Sequence, residues 1–438
     1  MKNILYLLSF FISFSSFAQE GPISTIKESG NHYKAIEFNV KKNTFYTQII
    51  PQFLGTSLSI EVNNDQSFEG AYILLGGTEK FNISKNEENT AVLQGIANRS
   101  SNQSSTLFVS KNPFEFFSFY SGKLEGTIRI NILYAKPLKK SYLEDTKKKS
   151  PNDCSQQPQS IDQSIWRVGL PDPAPNPSYS QVKHIILHHA AGSNTDTNYV
   201  NTVRNYYLFH TQTNGWDDIG YNYLVAPNGD IFDGRQGDSL GDDNVIGAHM
   251  CARNTNTMGI CLLGNYQNTG YLPTDTAISS INKLMVWKLW KEQLLNPYDS
   301  SLHPVANPVM HLGVIAGHRQ GCNPGYTSCP GQDYFDLIES RVRAVVAINL
   351  ANCAPLGVNY NNKKDVLIYP NPSQGKAINI ITPDKMEDIK VYNSLGKLIF
   401  QQTFNDYKVE IAELNETGMM LLEIKTSKGR YFEKIIVE

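Results

Sequence analysis

The stretch from Val314 to Gly331 constrains this chain more than any other. Val314-Ile315-Ala316 is an apolar run that predicts a short buried strand, and Gly317 stops it. The loop that follows carries His318 and Arg319 and, eleven positions after the histidine, Cys329 ahead of Pro330-Gly331. Upstream, Ile185-Ile186-Leu187 is a second apolar run, ending on His188-His189. Two strand ends deliver imidazole to one edge of a sheet, and a thiolate follows on the loop after the second. That makes three Zn²⁺ ligands with a fourth position open, the layout of a catalytic zinc rather than a structural one. Residues alternate faces in a strand, so only one of His188 and His189 can point at the metal. Taken singly, His318 reads as a surface loop histidine and Cys329 as a buried or disulfide-bonded cysteine. Their combination with the strand-end pair points to a metal.

The same residues carry a family resemblance. Ile-Ile-Leu-His-His-Ala-Ala-Gly, Gly220-Tyr221-Asn222-Tyr223, Gly247-Ala248-His249, Met258-Gly259-Ile260-Cys261-Leu262-Leu263-Gly264, Gly317-His318-Arg319 and Thr327-Ser328-Cys329-Pro330-Gly331 follow one another in order. In this the chain resembles the type 2 N-acetylmuramoyl-L-alanine amidases and peptidoglycan recognition proteins, over roughly residues 160–350. The resemblance implies that His188, His318 and Cys329 bind Zn²⁺, with His189 turned to the other face. It implies a catalytic role for Tyr221, whose phenol would donate to the oxyanion or orient the attacking water. It implies that His249, Asn254 and Arg319 contact the muramyl-peptide. It implies a catalytic role for Thr327 too, as a weaker polariser: threonine matches the recognition proteins, where some phage relatives have lysine, so a cationic oxyanion donor is missing and more of the work falls to zinc and Tyr221. The spacing from His318 to Cys329 is longer than is usual in the family, and Cys322-Asn323-Pro324-Gly325-Tyr326 fills the extra length.

The function implied is cleavage of the amide between N-acetylmuramic acid and L-alanine in peptidoglycan. The alternative is peptidoglycan binding without hydrolysis; recognition proteins that have lost activity tend to lack the cysteine, which is present here. A cysteine hydrolase using Cys329 and His318 is a third possibility. Nucleophilic thiolates usually sit at a helix N-terminus, whereas Cys329 lies in a Pro-Gly loop.

The 438 residues are enough for several domains. A formal charge of −2 gives no field for nucleic acid. Residues 1–18 read as a secretory signal peptide, with Lys2, an apolar stretch from Ile4 to Phe17 and Ser16-Phe17-Ala18 as cleavage site. No later run approaches the ~18 apolar residues of a membrane helix, so the mature protein is expected to be soluble and secreted; a monomer is expected as well. Residues 19–137 predict an all-β sandwich, with runs at His32–Val40, Thr44–Ile50, Ser57–Val62, Ala71–Leu75, Thr90–Leu93, Thr106–Val109, Glu115–Tyr120 and Thr127–Tyr134. Its aromatics, such as Phe114, Phe117 and Phe119, read as core before they read as a wall-binding surface.

Residues 138–163 are a Lys-, Ser- and Pro-rich linker. Residues 164–353 alternate strands with helices at Asn198–Phe209, Ala277–Leu295 and Tyr334–Leu350, a mixed sheet flanked by helices. A second linker covers 354–364. Residues 365–438 are all-β and Ig-like, and they resemble the C-terminal sorting domain of Bacteroidetes type IX secretion. Tyr369-Pro370-Asn371-Pro372 and the terminal Lys434-Ile435-Ile436-Val437 carry that match, while Met420 departs from its usual tyrosine. The partners implied are peptidoglycan and the secretion machinery.

Export makes the cysteines informative. Cys154 and Cys353 flank the central region and are expected to pair. Cys251 and Cys322 are expected to pair at the site's mouth, and Cys261 reads as a buried thiol. The rival is metal binding by Cys322 together with Cys329. His32, His210, His303 and His311 show no ligand pattern and read as surface or helix-end residues.

Overall fold

The computed structural model describes residues 24–50, 52–63, 65–85, 102–138, 154–174, 177–237, 243–303, 310–353, 366–373, 377–412, 414, 416–427 and 429–438. The signal segment, the run Thr90–Leu93 and the linker residues 139–153 and 354–364 lie outside them.

The first part forms two antiparallel sheets from β1 (Thr25–Ser29), β2 (Tyr33–Val40), β3 (Phe45–Ile49), β4 (Gly55–Asn63), β5 (Tyr72–Leu75), β6 (Glu79–Asn82), β7 (Asn102–Ser104), β8 (Phe108–Phe114), β9 (Phe116–Tyr120) and β10 (Gly126–Leu133). One sheet runs β1-β2-β10-β4-β7 with β8 on β4, the other β3-β9-β5-β6. Alternation along β2 and β9 turns Phe38 onto Phe117 and Phe119, with ring centroids 6.1 and 5.8 Å apart and edges on. Phe114, Phe117 and Phe119 are buried, so the aromatic run is spent on core.

The central sheet has β11 (His184–His189), β12 (Tyr223–Val225), β13 (Ile231–Asp233), β14 (Thr257–Leu262) and β17 (Ile315–Gly317) in the order β13-β12-β14-β11-β17. Between the last two in sequence lies a two-stranded ribbon, β15 (Ser300–Leu302) with β16 (His311–Gly313). Strands β12, β14, β11 and β17 are parallel and only β13 runs against them, through the turn at Pro227–Asp230. A parallel interior buries both faces, and every residue of β11 and β14 is buried. The helices are α1 (Gln163–Trp166), α2 (Tyr199–Leu208), α3 (Asp275–Lys291), α4 (His318–Gly321), α5 (Gln332–Phe335) and α6 (Ala344–Cys353). In α3 the Thr274 hydroxyl accepts the Ala277 N–H at 3.1 Å, an N-cap, and Ile278, Ile281, Leu284, Met285 and Leu289 meet Ile185, Leu187 and Ile260 in one core.

β11 ends on the two histidines, as its pairing with β14 continues through His189↔Leu262. Two local expectations change. His318 heads a helical turn, and the Gln320 side chain reaches back to accept the Gly317 N–H at 2.9 Å. The single helix expected at Tyr334–Leu350 is α5, a wider π turn at Ile338–Arg343 and α6.

The N-terminal sheets do not hang on a tether. Tyr33, Ala35, Leu133 and Ala135 share a core with Trp166, Val203 and Tyr207. Asn205 of α2 accepts the hydroxyls of Thr56 and Ser57, both at 2.7 Å and buried. A disulfide joins Cys154 to Cys353 across the central part.

The C-terminal sheet has β18 (Leu367–Tyr369), β19 (Ile378–Asn393), β20 (Leu398–Ile411), β21 (Gly418–Thr426) and β22 (Gly429–Val437), ordered β18-β19-β21-β22 with β20 on β19. It packs on α6 through Tyr392 and Leu421, and Phe432 stacks on Tyr298 at 3.7 Å.

Candidate metal centre

Parallel pairing places Leu187 beside Gly317, so the next residues, His188 and His318, emerge side by side at the carboxyl edge of the sheet. Their ring centroids are 4.4 Å apart. Cys329 comes back to the same point: its Sγ lies 3.7 Å from His188 Nδ1 and accepts the His189 N–H at 3.4 Å. One donor atom each from His188, His318 and Cys329 lies within 4.8 Å of the others, and all three residues are buried. Tetrahedral bonds of about 2.3 Å to sulfur and about 2.0 Å to nitrogen put such donors about 3.5 Å apart, close to the 3.7 Å separation seen here. His318 Nδ1 is buried and has no hydrogen-bond partner among the described residues. An orphaned imidazole nitrogen beside a thiol is what a borderline cation would satisfy, so these residues fit zinc.

Charge follows burial. Burial pushes His318 and His249 down to about 3, with neighbouring positive groups adding to it. His188 is well below its ordinary value, for burial first and then its neighbours His318, His249 and His189. Neutral imidazole is the ligating form.

His188 Nε2 lies 3.0 Å from His249 Nδ1, and His249 Nε2 lies 3.4 Å from the Thr257 hydroxyl. His249 is thus placed to orient the candidate ligand. Its ring fits because residues 247 and 259 are glycines: a Cβ would lie 2.5 Å from it at Gly247 and 2.6 Å at Gly259. Asn254 turns inward, its side chain accepting the N–H groups of His249 and Met250, both at 2.8 Å. Two ion pairs further back, Lys288 with Asp243 at 3.3 Å and Lys291 with Asp243 at 2.8 Å, tie the preceding loop to α3.

Tyr221 is buried, its ring 5.3 Å from that of His188. Thr327 is half-buried and its hydroxyl accepts the Cys329 N–H at 3.0 Å. Arg319 binds Gln332 at 2.7 Å and the Ser328 carbonyl, and lies 4.5 Å from the Phe335 ring centre. Its guanidinium therefore braces the cysteine loop. His189 takes the other face, where its Nδ1 accepts the Tyr266 N–H at 3.1 Å.

Cys251 and Cys322 form a disulfide, so Cys322 is not a partner of Cys329 in the cluster. Cys261 is buried and in no disulfide. Two of the histidines read as surface or helix-end residues are buried, and His210 does lie at a helix end. His210 stacks on Trp216 at 4.6 Å, accepts the Gly220 N–H at 3.1 Å and lies 5.7 Å from the Tyr221 ring; burial pushes it down to about 3. His303 lies 3.1 Å from the Thr255 carbonyl. Neither shows a local signal in sequence. Asn222, quoted in a motif but given no role, bridges the Val245 carbonyl and the Gly259 N–H, each at 2.8 Å, and so aligns the loop that carries His249. A cleft of about 740 Å³ opens between the N-terminal sheets and the loop after β11, with Lys80, Phe81 and Asn82 on one wall and Ser193, Asn194 and Tyr271 on the other.

Fold and cluster together define a class: an α/β protein with two imidazoles and one thiol gathered where parallel strands end. Residues 178–332 match the N-acetylmuramoyl-L-alanine amidase family model, and residues 367–438 match the secretion system C-terminal sorting domain. The chain is 30% identical over 163 residues to peptidoglycan-recognition protein SC2 of Drosophila simulans, covering 37% of this chain and 74% of that protein. It is 30% identical over 138 residues to human N-acetylmuramoyl-L-alanine amidase, covering 32% of this chain and 20% of that protein. Among solved structures, Drosophila PGRP-LB is 26% identical, covering 42% of this chain and 94% of that one with a TM-score of 0.33. The chain belongs to the N-acetylmuramoyl-L-alanine amidase and peptidoglycan-recognition family, and it ends in a sorting domain that points to secretion or the cell surface. No helix among the described residues is long and apolar enough to cross a membrane.

Proposed function

We propose that this protein is a zinc-dependent peptidoglycan hydrolase, exported by type IX secretion, that cleaves the amide between N-acetylmuramic acid and L-alanine. The observation that carries the reading is the orphaned Nδ1 of buried His318 beside Cys329 and His188. His188 through Nδ1, His318 through Nδ1 and Cys329 through Sγ would hold Zn²⁺. When bound, the ion supplies an activated water and polarises the scissile carbonyl.

The chain's own residues do the rest. His249 holds the His188 ring by its Nε2 edge, which fixes Nδ1 as the donor. The His189 N–H to the Cys329 sulfur favours thiolate over thiol. Tyr221 beside His188 supplies a phenol that donates to the developing oxyanion. Thr327 pins the Cys329 backbone, and Arg319 braces the same loop.

The test is incubation of the full mature chain with defined muropeptides and zinc. The expected result is a new N-terminal alanine, lost in Cys329→Ala. No release with zinc supplied, or undiminished release by the variant, overturns the proposal. Tight binding to wall fragments without release supports the alternative, recognition without hydrolysis, which the recognition-protein relatives favour.

A further inference from the structure

We propose that reduction of the Cys251–Cys322 disulfide creates a second metal site, for Zn²⁺ or a similar thiophilic divalent cation, on the opposite edge of His318. The inference rests on the reading of His318 as a ligand through Nδ1. The sulfur of Cys251 lies 3.5 Å from His318 Nε2, the nitrogen that the first site does not use. One donor atom each from Cys251, His318 and Cys322 lies within 4.8 Å of the others, and all three residues are buried. While the two sulfurs are bonded to each other, they have no thiolate to offer.

The loops that carry these sulfurs are joined by more than the disulfide. Arg253 donates to the Gly321 carbonyl at 2.9 Å and to the Asn323 side chain at 3.0 Å, spanning from the Cys251 loop to the Cys322 loop. Met250 packs hard on Gly321, where a Cβ would lie 2.3 Å from the Met250 Cε. Cutting the S–S bond therefore leaves both thiols beside the ring. A dithiol reductant supplies two electrons and two protons; the S–S bond breaks, two thiols form, and the reductant closes into its own disulfide. Cation binding then releases the thiol protons to solvent.

The two sites compete for one ring. A neutral imidazole has a single lone pair for a metal, so His318 cannot serve both cations unless it also loses its N–H proton. Two thiolates and an imidazole are a softer set than one thiolate and two imidazoles, and they favour the thiophilic cation. The oxidised chain keeps His318 for the first site, and the reduced chain diverts it.

The experiment uses the full mature chain with Cys329→Ala, which removes the first site. Co²⁺ is titrated before and after treatment with a dithiol that is then removed by desalting under nitrogen. Before reduction, no thiolate-to-cobalt charge-transfer band is expected. After reduction, a band is expected at about twice the intensity of oxidised wild type, since two thiolates replace one. Adding Cys251→Ser and Cys322→Ser abolishes it, although Cys154, Cys353 and Cys261 remain. No band in reduced Cys329→Ala overturns the second site, and so does a band that survives the added serines. Far-UV circular dichroism that collapses on reduction overturns it as well, because the loops must stay in place. Cobalt uptake by the oxidised wild-type chain reports on the first site separately, so the two readings fail in different samples.

Discussion

His249 Nδ1 lies 3.0 Å from His188 Nε2, and both rings are buried. A histidine that orients another by its far nitrogen sets which nitrogen is left for a metal. His249→Ala is expected to weaken zinc binding about 10- to 100-fold, with amidase activity falling in parallel. Competition against a fluorescent chelator checks this, and unchanged affinity would remove His249 from the site.

The Gly259 position tests the same contact from below. A Cβ there would lie 2.6 Å from the His249 ring, so Gly259→Ala must displace the imidazole. Overpacking of this kind costs about 1–3 kcal/mol. Denaturant unfolding should report that loss, together with weaker metal binding. A variant of full stability and affinity would mean that the ring has room to move.

Acid should destabilise the metal-free protein. His210 and His249 are held at about 3 in the folded chain against an ordinary 6.5. Between those values the unfolded chain binds more protons than the folded one, so stability rises with pH. The contribution is complete above about pH 6.5 and is lost progressively as pH falls toward 3. At pH 5 each imidazole has lost roughly 2 kcal/mol. Thermal melts in chelator should show Tm several degrees lower at pH 5 than at pH 7.5. His210→Phe should flatten part of that slope; a Tm independent of pH would contradict the burial of neutral rings.

Asn205 ties the N-terminal sheets to α2 by accepting from Thr56 and Ser57. Asn205→Leu takes away the acceptor of the buried Ser57 hydroxyl and leaves Thr56 only the Leu133 carbonyl at 3.2 Å, a loss of about 1–3 kcal/mol. Calorimetry of wild type should show these regions melting together, and the variant should separate them into two transitions. Separate transitions in wild type would show that the shared core does not couple them.

Much of the centre was legible because metal chemistry demands few residue types in few places. Apolar runs ending on His188 and His318, with Cys329 in a Pro-Gly turn, were visible without any fold. Helix α3 was legible from Thr274 and its apolar period. The burial of His210 was not: its neighbours Thr211, Gln212 and Asn214 are polar, and the rings that enclose it, Trp216 and Tyr221, arrive from further along the chain. The break before α6 was hidden too, since α and π turns accept the same apolar residues. The bracing role of Arg319 depends on Phe335 and Gln332, which a motif does not specify.

The bond between Cys154 and Cys353 fastens the chain where it enters the central sheet to where it leaves. A protease that cuts beyond Cys353, or nicks the stretch before Cys154, leaves the two ends of the central part tied to each other. Cleavage on either flank therefore leaves the edge that gathers His188, His318 and Cys329 between ends that stay covalently joined.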